Sequence, residues 1–177
     1  LLGTPTVFVR LAGCSIGCKF CDTDYRVTER LTVAEIGERI AAMQTTEEWV
    51  WVTGGEPADH DLLELLQECR LHGRVALATS GTKPLGAAER LVEFLSVSPH
   101  GTPASLWLAG ANQINLVSGL NGLNLARWMD FDETLFGQGY VTPCAGKPES
   151  QADCLEFVRR RPRWRLGIQA HNAWGMQ

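Results

Sequence analysis

The chain contains no apolar run approaching the ~18–20 residues that a membrane-spanning helix needs, no long basic block, no internal repeat and no low-complexity segment. The first absence argues against a transmembrane segment. The second, together with a net charge of −4, removes any electrostatic reason to expect nucleic-acid binding. The one basic cluster, Arg159-Arg160-Arg161-Pro162-Arg163, follows an apolar helical pattern and reads as cations over a helix C-terminus. Cysteine is sparse as well, since six in 177 residues is thin for a disulfide-stapled secreted domain. A starting methionine is also missing. The chain opens Leu1-Leu2-Gly3, so its native start is expected to be lost, which leaves room for a removed signal. What remains is a chain that is 45% hydrophobic, expected to form one domain over residues 1–177 with a full core.

Three of the six cysteines stand together in Cys14-Ser15-Ile16-Gly17-Cys18-Lys19-Phe20-Cys21. The spacing C-x3-C-x2-C gathers three thiolates on one loop. A structural zinc normally takes four ligands and is closed. Three thiolates suit a 4Fe–4S cube whose fourth iron stays open to another ligand, and an open iron beside a pocket implies chemistry. Other readings stand beside this one. A zinc site could recruit Cys69, Cys144, Cys154 or a histidine as its fourth ligand, a disulfide framework is formally available, and cysteine is often buried as a small hydrophobe. Reduced thiols and an oxygen-sensitive cluster both point to the cytoplasm.

Strand and helix patterns alternate along the chain. Strands are expected at Thr6–Leu11, Trp49–Thr53, Arg74–Thr79, Leu91–Val97, Gln113–Val117, Gly139–Thr142 and Arg165–Gln169. Thr6–Leu11 and Trp49–Thr53 read as buried. A capping box at Thr32-x-x-Glu35 precedes Val33, Ile36, Ile40 and Met43 at helical spacing. Asp61-x-x-Glu64 opens a second helix that exits at His72-Gly73. A short helical stretch is expected near Leu85–Arg90, a long loop over 99–111, and a last helix over Ala152–Arg160. Such alternation argues a parallel sheet with right-handed crossovers, with too few strands for a closed eightfold barrel. The cysteine loop, Gly54-Gly55, Ser80-Gly81 and Ser98-Pro99 each follow a strand, where parallel α/β architectures place their sites.

Thr53-Gly54-Gly55-Glu56-Pro57 combines adjacent glycines, which let a ligand approach the backbone closely, with a carboxylate acceptor. Read by itself it is equally a tight turn before the next helix. With C-x3-C-x2-C it resembles the radical S-adenosylmethionine (SAM) enzymes. Further segments are similar to 7-carboxy-7-deazaguanine synthases: Phe8-Val9-Arg10-Leu11-Ala12-Gly13-Cys14, Cys21-Asp22-Thr23, Thr79-Ser80-Gly81-Thr82, Ser96-Val97-Ser98-Pro99 and Trp164-Arg165-Leu166-Gly167-Ile168-Gln169-Ala170-His171. They arrive in that family's order and cover nearly the whole chain.

The resemblance implies an open, partial (β/α) barrel of about six mainly parallel strands, of the small radical SAM type. It implies a lyase converting 6-carboxy-5,6,7,8-tetrahydropterin to 7-carboxy-7-deazaguanine plus ammonia, on the route to queuosine and related 7-deazapurines. The chemistry would be that of a 5′-deoxyadenosyl radical from SAM, which takes hydrogen from the pterin C6 and returns it, so no side chain is expected to be catalytic. By the same resemblance Cys14, Cys18 and Cys21 hold the 4Fe–4S cluster and Thr23 a Mg²⁺ ion. Phe20, Cys21, Asp22, Gly54, Gly55, Glu56, Gly81, Ser98, Pro99, His100, Thr142, Pro143 and Cys144 fall at SAM positions. Arg10, Thr79 and the terminal Gln177 fall at substrate positions. Partners implied are the pterin, a reductase or flavodoxin-type electron donor, and a second copy in a homodimer, with neither nucleic acid nor membrane. The family's N-terminal Q-G-E-G-like segment has no counterpart here, and His100, Asn115 and Asn172 stand where Lys is common. A glycyl-radical activase, which shares the cysteine spacing and the Gly-Gly-Glu-Pro turn but acts on a protein, and a zinc or redox module are the rival readings.

Overall fold

The computed structural model describes residues 3–18, 21, 23–43, 48–107, 110–119, 123–144 and 147–169, with Glu48 described by its backbone alone. Its elements in chain order are β1 (Thr6–Leu11), α1 (Val33–Met43), β2 (Glu48–Gly54), α2 (Leu63–His72), β3 (Gly73–Thr79), β4 (Phe94–Val97), β5 (Ala111–Ser118), β6 (Phe136–Pro143), α3 (Glu149–Arg160) and β7 (Trp164–Leu166), with short 3-10 turns between. The strands form one seven-stranded sheet in the order β1 to β7, and every pairing described is parallel. Among the described residues no pairing joins β7 back to β1, as expected for an open, partial barrel. The seven strands answer to the seven spans read from the sequence, where the resemblance implied about six. The chain divides into two compact units. One comprises residues 1–17, 21–79 and 83–95, the other 18–20, 80–82 and 96–177.

In the first unit β1 pairs with β2 and β2 with β3, Val9 lying opposite Val52 and Val52 opposite Leu77. Val50, Val52, Val75 and Leu77 are fully buried, together with Leu66 and Cys69 of α2, while Ile40 of α1 is 2% exposed. The Thr32 capping box forms as expected: Glu35 N donates to Thr32 Oγ1 at 3.2 Å, and Thr32 N donates to a Glu35 carboxylate oxygen at 2.7 Å. Gly73 ends α2 in extended backbone (φ 168°) and opens β3 directly, without a left-handed turn. Thr6–Leu11 was expected to be buried. It instead alternates, with Val7 and Val9 inward and Phe8 59% exposed beside an exposed Arg10. A period of two is that of a strand with one face packed and the other open. Phe8 stacks on Trp51 at 6.2 Å, and Trp51 lies 6.0 Å from Phe94.

The second unit is built on β5, β6 and β7, with α3 against them. Its core joins Ile114, Leu116, Val141, Cys154 and Phe157 to a run of rings from Trp128 through Phe131 and Phe136 to Trp164, with centroids 5.0, 6.0 and 4.9 Å apart. A Cβ at Gly139 would meet the Phe136 and Trp164 rings at 2.7–2.8 Å, so this strand glycine makes room for the rings. Of the basic cluster, Arg161 donates to Glu133 Oε1 (2.7 Å) and to the Phe131 carbonyl (2.8 Å), and Arg160 pairs with Glu156 one helical turn back. Arg159 and Arg160 fall in the last turn of α3 as the pattern implied, while Arg161 ties the chain after it to residues 131 and 133.

Candidate active site

β1 ends at Leu11 and runs straight into the cysteine loop; β2 ends at Gly54 and runs into the Gly-Gly-Glu turn. Because the strands are parallel neighbours in register, Leu11 lies opposite Gly54, and the two loops leave the sheet side by side. They are stitched together residue by residue. Gly55 N donates to Leu11 O (2.9 Å), Glu56 N to Gly13 O (3.1 Å), and His60 Nε2 lies 2.9 Å from Ala12 O.

The glycines serve this approach. At Gly54 (φ 126°) a side chain would run into the Leu11 backbone; at Gly55 it would run into Gly13 O and come within 3.1 Å of Cys14 Cβ. Adjacent glycines were expected to let a ligand near the backbone. They also let the cysteine loop near, and two of the N–H groups at this turn are spent on that loop. Glu56 is only 2% exposed. Its Oε1 accepts from Ala58 N (3.0 Å), capping the 3-10 turn Pro57–Asp59, and from Thr79 Oγ1 (2.5 Å) at the end of β3. Thr79, expected at a substrate position, is thus buried with its hydroxyl on Glu56.

The six cysteines fall into two classes. Cys14 and Cys18 are half-buried and Cys21 is exposed, while Cys69, Cys144 and Cys154 are buried. Burial pushes the Cys69 thiol up to about 12, helped by the neighbouring Glu68. It pushes Cys154 up to about 11, with Asp153 adding to the rise and Ser118 opposing it. Both are held as buried thiols at neutral pH, the inert class of cysteine. Among the described residues no disulfide joins any of the six. Nor do any three His, Cys, Asp or Glu side chains there converge on a point that one ion could occupy. A cluster asks for something else, one accessible thiolate for each of three irons, and the donor set of the loop fits that. Alkylation of the apoprotein at neutral pH is accordingly expected to label Cys14, Cys18 and Cys21 in the folded state and the other three only on unfolding. Peptide mass spectrometry checks this, and a rapid native adduct on Cys69 would contradict it.

In the second unit Cys18 Sγ lies 3.3 Å from His100 Nδ1, which follows the Ser98-Pro99 turn after β4. Gly81 is buried, and its carbonyl accepts from Trp107 N (2.9 Å). Thr142 is buried at the end of β6 and donates to Asn115 Oδ1 (2.7 Å); Pro143 follows, and the Cys144 N–H is held by Ser150 Oγ (3.0 Å). In the first unit Cys21 Sγ donates to the carbonyl of Thr23 (3.5 Å), and Arg26 holds the neighbouring Asp24 carboxyl down to about 2. Arg10 is exposed and has no ion pair among the described residues. Phe20, Asp22 and Gln177 lie outside the described residues.

Comparison with known proteins decides between the readings. The model of the radical SAM superfamily matches residues 8–103. The 7-carboxy-7-deazaguanine synthase of Bradyrhizobium diazoefficiens is 30% identical over 99% of this chain and 91% of its own length. The chain belongs to the 7-carboxy-7-deazaguanine synthase family. Another synthase of that name, from Bacteroides thetaiotaomicron, is 28% identical over 96% of this chain and 86% of its own. The crystal structure of QueE from Escherichia coli shares the fold, with a TM-score of 0.63 and 24% identity over 94% of this chain and 86% of that one. Membership makes the chain a radical SAM lyase, and the 4Fe–4S cluster and SAM are the cofactors of that class. Among the described residues no helix is long and apolar enough to cross a membrane.

Sequence reasoning missed four residues of this site. Ser15, Asp59, His60 and Lys83 brace the cysteine loop. Ser15 lies 44 residues from Asp59 and 68 from Lys83, so no local spacing marks them. The only hint was that Asp59 and His60 closely follow Glu56.

Proposed function

We propose that the chain converts 6-carboxy-5,6,7,8-tetrahydropterin to 7-carboxy-7-deazaguanine with release of ammonia, for queuosine and related 7-deazapurines. The observation that carries this reading is the docking of the cysteine loop on the Gly54-Gly55-Glu56 turn through backbone hydrogen bonds, in a chain matched almost end to end by synthases of that name. When bound, the cluster and SAM supply the radical that starts ring contraction. Cys14, Cys18 and Cys21 hold the cluster. Glu56, fixed by Thr79 and Ala58, accepts from the amino group of SAM, and a fixed carboxylate makes that a charge-assisted bond. Gly54 and Gly55 shape this turn. Phe20, Cys21, Asp22, Gly81, Ser98, Pro99, His100, Thr142, Pro143 and Cys144 complete the SAM contacts, on the strength of the sequence resemblance.

Arg10, an exposed cation with no described ion pair, binds the substrate carboxylate. Thr79 falls at a substrate position by the resemblance and also fixes the Glu56 carboxylate. Thr23 offers Mg²⁺ a hard oxygen. The 177 residues act as one radical SAM domain, in a cytoplasmic homodimer reduced by a flavodoxin-type donor or a reductase, a proposal that rests on the same resemblance. Anaerobic incubation of the reconstituted protein with SAM, dithionite and the carboxypterin tests the reading. The pterin mass should give way to that of the deazaguanine acid, and an unchanged pterin beside a radical formed on a partner protein would favour an activase.

Thr23→Ala is expected to keep its iron and its ability to cleave SAM while turnover falls and Mg²⁺ no longer stimulates it. Titrating Mg²⁺ against rate for both proteins checks this. A parent enzyme indifferent to magnesium removes Thr23 from the site.

A further inference from the structure

Beyond the cysteines, the cluster loop is held by a closed triangle of side chains. Asp59 accepts from Ser15 N through Oδ2 (2.6 Å) and from Ser15 Oγ through Oδ1 (2.7 Å). Lys83 Nζ pairs with Asp59 Oδ1 and reaches Ser15 Oγ at 3.2 Å. Asp59 is the last residue of the 3-10 turn that Glu56 caps, and its side chain is 17% exposed. Ser15 stands directly after Cys14 and three residues before Cys18. The turn that carries Glu56 therefore also grips the loop at its first ligand. With the bonds to Leu11, Ala12 and Gly13, every residue from 11 to 15 but Cys14 itself is tied to Gly55–His60. Groups fixed in this way reduce the ordering that metal binding would otherwise demand, and outer partners of ligand residues commonly govern retention.

We infer that Asp59 and Lys83 are positioning residues that preform the cysteine loop, so that retention of the cluster depends on them. The inference rests on the cluster reading of Cys14, Cys18 and Cys21. Reconstituted holoprotein is challenged anaerobically with an iron chelator, and the decay of the cluster absorbance is followed beside the melting temperature of the apoprotein. Asp59→Ala should lose its cluster about 10–100-fold faster than the parent, with the apoprotein melting temperature nearly unchanged. Asp59→Asn keeps an acceptor for Ser15 N–H but loses the ion pair, and should fall between. Lys83→Met, at a half-exposed position that leaves folding undisturbed, should also be faster, and Lys83→Arg should restore the parental rate. Parental decay in both Asp59→Ala and Lys83→Met would overturn the inference. So would a faster decay that merely tracks a fall in melting temperature, or a Lys83→Arg no better than Lys83→Met. The cluster reading fails separately, if the parent binds no cluster or if Cys14→Ala binds as much iron as the parent.

Discussion

Alanine at Cys14, Cys18 or Cys21 is expected to abolish cluster binding and all turnover, whereas alanine at Cys69, Cys144 or Cys154 should leave the cluster in place. The contrast follows from placement. The first three lie on one loop with their thiols accessible; the others are packed into the cores of two different units. Cys69 is fully buried on α2, and Cys154 is fully buried on α3 in one cluster with Leu116, Trp128 and Phe157. Burial also pushes their thiols up to about 12 and about 11, the mark of an inert structural cysteine. Removing one core sulfur costs about 1 kcal/mol of stability, a loss seen in the melting curve and not in the iron content. Iron and sulfide analysis of the six variants decides the matter. A Cys69→Ala protein without iron beside a Cys18→Ala protein with a full complement would overturn the assignment.

Gly55→Ala is expected to be nearly as damaging although it removes no ligand side chain. The added methyl would overlap Gly13 O and crowd Cys14 Cβ. Backbone cannot swing aside as a flexible side chain does, so the cysteine loop must lift. That breaks the Gly55–Leu11 and Glu56–Gly13 hydrogen bonds together. Overpacking alone costs about 1–3 kcal/mol, and each lost bond adds about 1 kcal/mol. The loop then no longer presents Cys14 in place, and the protein should fail to hold its cluster. Gly86→Ala is the control: Gly86 also has a positive φ (59°), but nothing lies within 4 Å of its would-be Cβ. It should lose about 1–2 kcal/mol from left-handed strain and keep its iron. Equal iron content in the two variants would show that the close packing of the loops is irrelevant to the site.

Much of this was legible in the residues. β1 occupies the span expected of it, and the Thr32 capping box starts α1, because both signals are local. β6 starts at Phe136, three residues before the expected Gly139. Gly137 and Gly139 break the apolar pattern, and the reason for Gly139 is the Phe136 and Trp164 rings packed over it, one of them from a strand 25 residues on. β4 begins at Phe94 because Gly86–Leu91 winds into a 3-10 turn that takes the first residue expected of the strand. The same division holds in the site. Cysteine spacing and the Gly-Gly-Glu turn are compact motifs. What the glycines are for emerges only when β1 and β2 lie side by side. The Ser15–Asp59–Lys83 triangle joins three segments far apart in the chain, and beyond the closeness of Asp59 to Glu56 nothing in the sequence marked it.

The central claim, that this chain uses SAM to drive contraction of a carboxypterin ring, is tested most directly by counting products at limiting SAM. The reconstituted holoprotein is given dithionite, Mg²⁺, a large excess of 6-carboxy-5,6,7,8-tetrahydropterin and SAM below the pterin concentration, all without oxygen. If SAM is regenerated in each cycle, 7-carboxy-7-deazaguanine and ammonia form in amounts exceeding the SAM supplied, with little free methionine. Methionine and 5′-deoxyadenosine accumulating one for one while the pterin stays intact would contradict the account.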